Sequence, residues 1–394
     1  IRDRSNIHKD IKTSNRIGSI LIKIISIILI LPPLFSSCLK EEADNHERLP
    51  NRTILFYMAG DNSLSKETQE KVDALAAAWN IAGENRLVVY QDKGGEHAPR
   101  LLEIKTGSGG KTEVEILAEY EDDNSASTKV FARVLNDMVR YCPSSDYGLI
   151  LFSHSSGWLP AGTFLQPRSV VTDGDTEFDL IDFARTIPNG QFRFIVFESC
   201  LMAGAEVVYE LKDKTDYILA SSAEILSPGF TPLYGKMLEY LYKVTPDLIG
   251  FAGEYYDYCS GLSGDNRSAT VSVISTAGLD PLKSLLARAE NHVEHWEWVE
   301  RDGIQHFDRR AKDYLFHDLE GYIRTIGTQE ELNELAGILE GTVLYKAATD
   351  EFMSGSLYGF PINQHCGLTI YIPVAQFKGL NTQRNRLLLF SDNQ

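Results

Sequence analysis

Short apolar runs alternating with helical patterns set the strongest limit on what this chain can become. Thr53–Ala59, Leu87–Tyr90, Tyr147–His154, Phe192–Cys200 and Asp216–Ser222 are apolar through their centres, and they read as strands buried on both faces. Between them lie stretches with helical spacing. The first runs through Val72, Leu75, Ala76 and Trp79 after turn and cap residues Asp61-Asn62-Ser63, and others cover about 127–141, 179–186 and 204–211. This alternation predicts an α/β fold with a mostly parallel central sheet covered by helices on both faces. Residues 100–120 alternate apolar and polar around Gly107–Gly110, which predicts a hairpin at a sheet edge. Beyond about residue 245 the pattern turns helical, with Ala269–Ser275 and Gly367–Pro373 as the clear later strands. The expected organisation is a main domain over 53–245 and a helix-rich C-terminal subdomain over 246–394, with no convincing element after Phe377.

Two of the runs end on reactive side chains. One closes on Cys200, and 46 positions earlier another closes on His154, followed by Ser155-Ser156-Gly157-Trp158. If the two strands lie parallel in one sheet, the imidazole and the thiol emerge at the same carboxyl edge, where open α/β sheets place their sites. A thiol attacks as its thiolate, and an ordinary pKa near 8.5 leaves only a small reactive fraction at neutral pH. A neighbouring imidazole can hold the thiolate as an ion pair and then protonate a leaving amine, so a Cys/His pair suffices for acyl transfer. Backbone N–H groups around the cysteine and in the turn Ser155, Ser156, Gly157 are the expected oxyanion donors. A strand-end cysteine by itself is more often a small buried hydrophobe. Its flanking residues reverse that weighting.

Those residues are Ser153-His154-Ser155-Ser156-Gly157-Trp158 and Glu198-Ser199-Cys200-Leu201-Met202-Ala203-Gly204-Ala205-Glu206-Val207-Val208-Tyr209-Glu210-Leu211. They resemble the two signature blocks of the clostripain family of cysteine peptidases, and Ser221–Tyr234 resembles that family's segment after the next strand. The resemblance covers about Thr53 to Tyr234. It implies a caspase-like fold, a catalytic domain over 53–245, a dyad of Cys200 and His154, and cleavage of peptide bonds in a protein or peptide substrate. Two positions depart from the family pattern. Ser155 stands where the family has glycine, and its Cβ is expected to crowd or strain the loop. Glu198 stands where members that cleave after arginine or lysine carry aspartate. Glu198, with Glu224 as a second candidate, is therefore the expected acidic floor of a substrate pocket. Many members cut themselves between the histidine and the cysteine, and Arg168 beside Pro167 is the expected autoprocessing site. Calcium serves some related peptidases, but the two carboxylates of Asp173-Gly174-Asp175 fall short of a calcium loop's oxygen set and read as a turn. Two other readings stay open: a lipid-anchored binding protein that keeps the fold without turnover, and a transpeptidase using the same dyad.

Ahead of the first strand, basic residues from Arg2 to Lys23 precede an apolar stretch at Ile24–Leu31 and then Pro32-Pro33-Leu34-Phe35-Ser36-Ser37-Cys38, the layout of a secretory signal peptide over 1–37. The apolar stretch falls short of the roughly 20 residues that cross a bilayer. Phe35-Ser36-Ser37-Cys38 resembles a bacterial lipobox, which implies lipid on Cys38 and a membrane anchor. Leu39-Lys40-Glu41-Glu42 resembles the export tag of some Bacteroidetes lipoproteins, so an outer-membrane lipoprotein facing the surface or periplasm is expected, tethered through 38–52. An ordinary cleaved signal with an incidental cysteine is the other reading. Removing the six basic and two acidic residues of this leader takes the net charge from −17 to −21, a field that disfavours nucleic acid and permits cationic partners. Cys142, Cys259 and Cys366 are too few and too scattered for a disulfide framework; they read as buried thiols, with one disulfide as the alternative. His292 and His295 lack the His-Glu-x-x-His pattern and a third ligand, so a solvated helix face outweighs a zinc site, and no metal or other cofactor is expected.

Overall fold

The computed structural model describes residues 52–160, 169–309 and 314–391. The leader, Cys38 and Arg168 lie outside the described residues. In chain order the first half runs β1 (Arg52–Ala59), α1 (Ser65–Ala78), β2 (Arg86–Asp92), β3 (Arg100–Thr106), β4 (Thr112–Glu119), α2 (Thr128–Tyr141) and β5 (Asp146–Phe152). A small hairpin of β6 (Val171–Asp173) and β7 (Thr176–Phe178) follows, then α3 (Leu180–Thr186), β8 (Phe192–Glu198), α4 (Ala205–Glu210) and β9 (Thr215–Ala220). The remainder comprises α5 (Tyr234–Leu241), α6 (Leu248–Ser260), β10 (Thr270–Ser275), α7 (Asp280–Glu290), β11 (His317–Asp318), α8 (Leu319–Ile326), α9 (Gln329–Thr342) and β12 (Val343–Ala348). Short strands β13 (Glu351–Phe352), β14 (Phe360–Pro361) and β15 (Thr369–Ile370) precede a last helix, α10 (Lys378–Arg384).

Nine strands form one sheet in the order β12-β10-β9-β8-β5-β1-β2-β3-β4. The five central strands, β9 to β2 in that order, run parallel, and two antiparallel strands close each edge. Strand pleating sends alternate residues of β1 into two cores. Leu55, Tyr57 and Ala59 pack with α2, α3, α4 and α7, whereas Ile54, Phe56 and Met58 pack with α1, α5 and α6. In α2 the apolar positions Val130, Phe131, Val134, Leu135 and Met138 share one buried stripe, and Ser127 caps the helix by accepting from Val130 N–H.

The expected boundary near residue 245 does not separate two bodies. β10 pairs with β9 and β12 with β10 in the same sheet, and residues 49–394 make one compact unit. β12 escapes a sequence reading because it starts at the residue after α9 ends, with no turn signal between helix and strand. Gly367–Pro373 contributes only the two-residue β15, and α10 occupies part of the stretch where no element is expected. Asp61-Asn62-Ser63 also does not cap α1 as expected. The N-cap position is Leu64, and Asn62 accepts from the Leu64 N–H instead. Cys142, Cys200, Cys259 and Cys366 are buried, and no disulfide joins them to one another. His292 contacts Glu331 at 3.2 Å, whereas His295 contacts Glu297. Among the described residues no helix is long and apolar enough to cross a membrane.

Candidate active site

The parallel strand order reverses at β1, with β2 on one side and β5 on the other. Such a reversal is where doubly wound sheets hold ligands, at the carboxyl ends of the strands. β5 and β8 lie side by side with Phe152 opposite Glu198. Two residues beyond each of these partners come His154 and Cys200, so the structure brings both to the same edge of adjacent strands.

Backbone geometry on the two exits is tightly specified. Leu201, directly after the cysteine, holds φ at +62°, a left-handed conformation that costs a branched residue on the order of 1–2 kcal/mol. It is held there by Leu201 N–H donating to Ala223 C=O and Ala203 N–H donating to Ser221 C=O, both at 3.0 Å. Cys200 is 9% exposed, and its Sγ lies 4.0 Å from the Ile225 carbonyl oxygen. On the histidine exit, Gly157 has φ at +66°, and a Cβ there would stand 2.8 Å from the Leu201 carbonyl and 2.9 Å from the Phe316 ring. Glycine is therefore required by both conformation and space, and it lets the histidine loop press against the cysteine loop.

Ser155 does not carry the strain expected of it. Among the described non-glycine residues only Leu201 and Met353 have positive φ, and Ser155 uses its hydroxyl to donate to the Cys200 carbonyl at 2.5 Å. The side chain that replaces glycine thus ties the two exits together. Ser156 N–H donates to Ser169 C=O at 2.8 Å, which removes it from the expected oxyanion donors, as the Ala223 contact removes Leu201 N–H. His154 Nε2 lies 2.7 Å from Ser63 Oγ, a residue carried on the loop that leaves β1.

Neither acidic candidate presents an unanswered carboxylate. Glu198 is buried, and its Oε1 is 2.6 Å from Lys71 Nζ and accepts from Phe230 N–H at 2.6 Å, while Oε2 accepts from Tyr234 O–H at 2.9 Å. Burial pushes this carboxyl above its ordinary value, against the pull of the Lys71 ammonium. Lys71 is equally buried, donates also to Pro228 C=O and Thr231 Oγ1, and lies 4.3 Å over the Phe152 ring. Gly229, at φ +61°, passes so close that a Cβ would meet Glu198 Oε1 at 2.5 Å. Glu198 is thus the anchor of the 228–234 segment, which corrects its expected place on a pocket floor. Glu224 lies on the segment that contacts the cysteine exit. It sits between Ala223, which binds Leu201, and Ile225, which contacts Cys200. Its Oε2 accepts from Arg309 Nε at 3.1 Å and Nη2 at 2.8 Å.

Arg309 is held by its neighbour Asp308. The buried Asp308 carboxyl accepts from Leu315 N–H and Phe316 N–H at 3.1 Å, and burial pushes it from an ordinary 3.8 up to about 7. Buried Glu206, which accepts from Tyr371 N–H, is likewise raised to about 7. A carboxyl whose folded pKa exceeds its unfolded value binds more protons when folded, so its contribution to stability falls as pH rises through that window. The contribution of these two carboxyls is expected to be lost as pH rises towards 7, and Asp308→Asn to remove its share of that pH dependence, in urea titrations of wild type and variant at several pH values. Of the calcium candidates, Asp173 accepts from Ser125 N–H, and burial raises it to about 6; Asp175 is exposed.

A model of the clostripain family matches residues 56–348. The chain is similar to an inactive zymogen C11 protease from Parabacteroides distasonis, with 28% identity, coverage of 87% of this chain and 97% of that one, and a TM-score of 0.76. A secreted C11 cysteine protease from Bacteroides thetaiotaomicron, solved with an irreversible peptide inhibitor, is 25% identical, with 86% and 98% covered and a TM-score of 0.73. No curated protein matches.

Proposed function

Because the chain belongs to the clostripain family of cysteine peptidases, we propose that Cys200 is its nucleophile, His154 its acid and base, and a basic residue its preferred cleavage position. The observation that carries the dyad is the β5–β8 register, which puts both residues two steps past a paired Phe152 and Glu198. In the proposed reaction the thiol proton passes to the imidazole and sulfur bonds to the scissile carbonyl carbon. The C–N bond then breaks as the imidazolium gives its proton to the amine, and water releases the acyl group from sulfur. Amide groups of Ser155 and Cys200 are the oxyanion donors in this reading.

Glu224 supports the basic preference. It directly precedes Ile225, whose carbonyl contacts the thiol, and it already binds a guanidinium from the chain itself, that of Arg309. A substrate arginine would exchange with that group. The test compares kcat/KM for a peptide with arginine at the cleavage position against its neutral isostere citrulline. Wild type is expected to favour arginine by roughly 10-fold or more, because a guanidinium can take over the charge-assisted pair that Arg309 now makes with Glu224 and the neutral citrulline cannot, and Glu224→Gln to lose most of that margin. Equal rates for the two peptides in wild type would sink the preference.

Self-activation by cleavage after Arg168, lipid attachment at Cys38 and a place on the outer membrane facing the cell surface or periplasm complete the proposal. One similar protein is an inactive zymogen and another is a secreted protease, which supports processing and export.

A further inference from the structure

We propose that Ser63 is a positioning residue for His154, accepting a hydrogen bond from the imidazole Nε2–H so that Nδ1 is the nitrogen that exchanges the proton with Cys200. This rests on the dyad proposed above. Ser63 Oγ lies 2.7 Å from Nε2, and it does so from the loop that leaves β1, the strand beside β5 at the point where the parallel order reverses.

The loop that carries Ser63 is built to stay in place. Asn62, its neighbour, donates through Nδ2 to Thr172 C=O at 3.1 Å and to Thr172 Oγ1 at 3.3 Å, and its Oδ1 accepts from Leu64 N–H at 2.9 Å. On the loop's other flank, Gly174 N–H donates to Asp61 C=O at 2.7 Å, and Gly60 N–H donates to Asp92 C=O at 3.0 Å. The histidine side is pinned to the same threonine. Thr172 N–H donates at 3.0 Å to the hydroxyl of Ser153, the residue before His154. Thr172 therefore anchors the residue before each end of the Ser63–His154 contact, which joins the two loops through a closed path of Ser63, Asn62, Thr172, Ser153 and His154.

The direction of the bond follows from the chemistry. A histidine that accepts the thiol proton carries N–H on both nitrogens, so its second nitrogen needs an acceptor. A serine hydroxyl can rotate to accept, and doing so stabilises the imidazolium over the neutral ring. The thiolate–imidazolium pair then forms at lower pH and survives to higher pH.

The experiment uses the purified protein and its Ser63→Ala and Ser63→Thr variants. Two quantities are read against pH: the rate at which iodoacetamide alkylates Cys200, and kcat/KM on an arginine peptide. Loss of the acceptor is expected to lower kcat about tenfold with KM within twofold, to move the onset of thiolate alkylation to higher pH, and to move the alkaline limb of kcat/KM to lower pH. Ser63→Thr, which keeps the hydroxyl, is expected to restore both limbs. Unmoved limbs in Ser63→Ala would overturn the proposal, whether or not kcat falls, because a merely structural serine changes rate and unfolding temperature without narrowing the profile. Alkylation is read without turnover. A wild type that cleaves no peptide but shows the Ser63-dependent shift would therefore retire the peptidase reading and keep this one.

Discussion

Cys200→Ala is expected to abolish peptide hydrolysis, lowering kcat/KM by more than about 10³-fold, because the proposed acyl bond is formed to its sulfur. The substitution removes one sulfur from a residue 9% exposed, and a change that small at such a place costs on the order of 1 kcal/mol. The folded protein should therefore survive, and its denaturation midpoint should stay close to wild type. Ser155 will still donate to the backbone carbonyl at position 200, and Leu201 will still be held by Ala223, since neither contact uses the side chain. Turnover of a fluorogenic arginine peptide and the intact mass of the chain give the outcome together. Hydrolysis that persists in the variant would remove Cys200 from the mechanism. Self-cleavage that persists would remove it from processing.

Lys71→Met is expected to have the largest effect on stability. The Lys71 and Glu198 side chains are 0% and 1% exposed and 2.6 Å apart. Deleting one partner of such a pair leaves a charge in a medium that cannot solvate it, at a cost of about 3–5 kcal/mol. Glu198 has an escape, which is to take up a proton. Burial already pushes its carboxyl upward, and without the ammonium that push is unopposed by any cation at 2.6 Å. The variant should thus be less impaired at pH 5 than at pH 8, the sign expected of a carboxyl whose folded pKa lies above its unfolded one. Adding Glu198→Gln removes the charge and keeps one amide oxygen to accept from Phe230 N–H, while its NH2 group can donate to the Tyr234 hydroxyl in place of accepting from it, so the double variant should recover most of the loss. Urea denaturation of the two single variants and the double variant at both pH values measures the coupling. Additive losses would mean that the pair does not act as a unit.

The parts of this molecule that were legible from sequence are the ones fixed by local pattern. Buried strands announce themselves as apolar runs, and the two reactive residues could be found because each sits at the end of one. The hairpin at one edge was legible from its alternation and its glycines, and it forms β3 and β4. What was not legible depends on partners far along the chain. Glu198 looked like a pocket acid because Lys71 is 127 positions away. One signal was present. Thr68, Lys71, Val72 and Leu75 are the buried positions of α1, so the lysine stands on the apolar stripe, where a charge needs a partner. Arg309 is 85 positions from Glu224 and carries no such mark. Ser63 read as turn chemistry, and only the strand order of the sheet places it beside the histidine. β12 was missed because a helix runs straight into it. Leu201's backbone angle has no trace in residue type, since nothing about leucine suggests φ above zero.

The register of β5 against β8 also bears on what happens when the backbone is cut. His154 and Cys200 are 46 residues apart along the chain, but their places are set by the hydrogen-bonded ladder from Gly148↔Phe194 to Phe152↔Glu198. Each strand is also held by its outer neighbour, β1 on one side and β9 on the other. Covalent continuity between the two residues adds nothing to that alignment. A break in the crossover leaves a two-chain protein whose halves remain sewn together through the sheet, and cleavage can change access to the site while its two reactive groups keep their places.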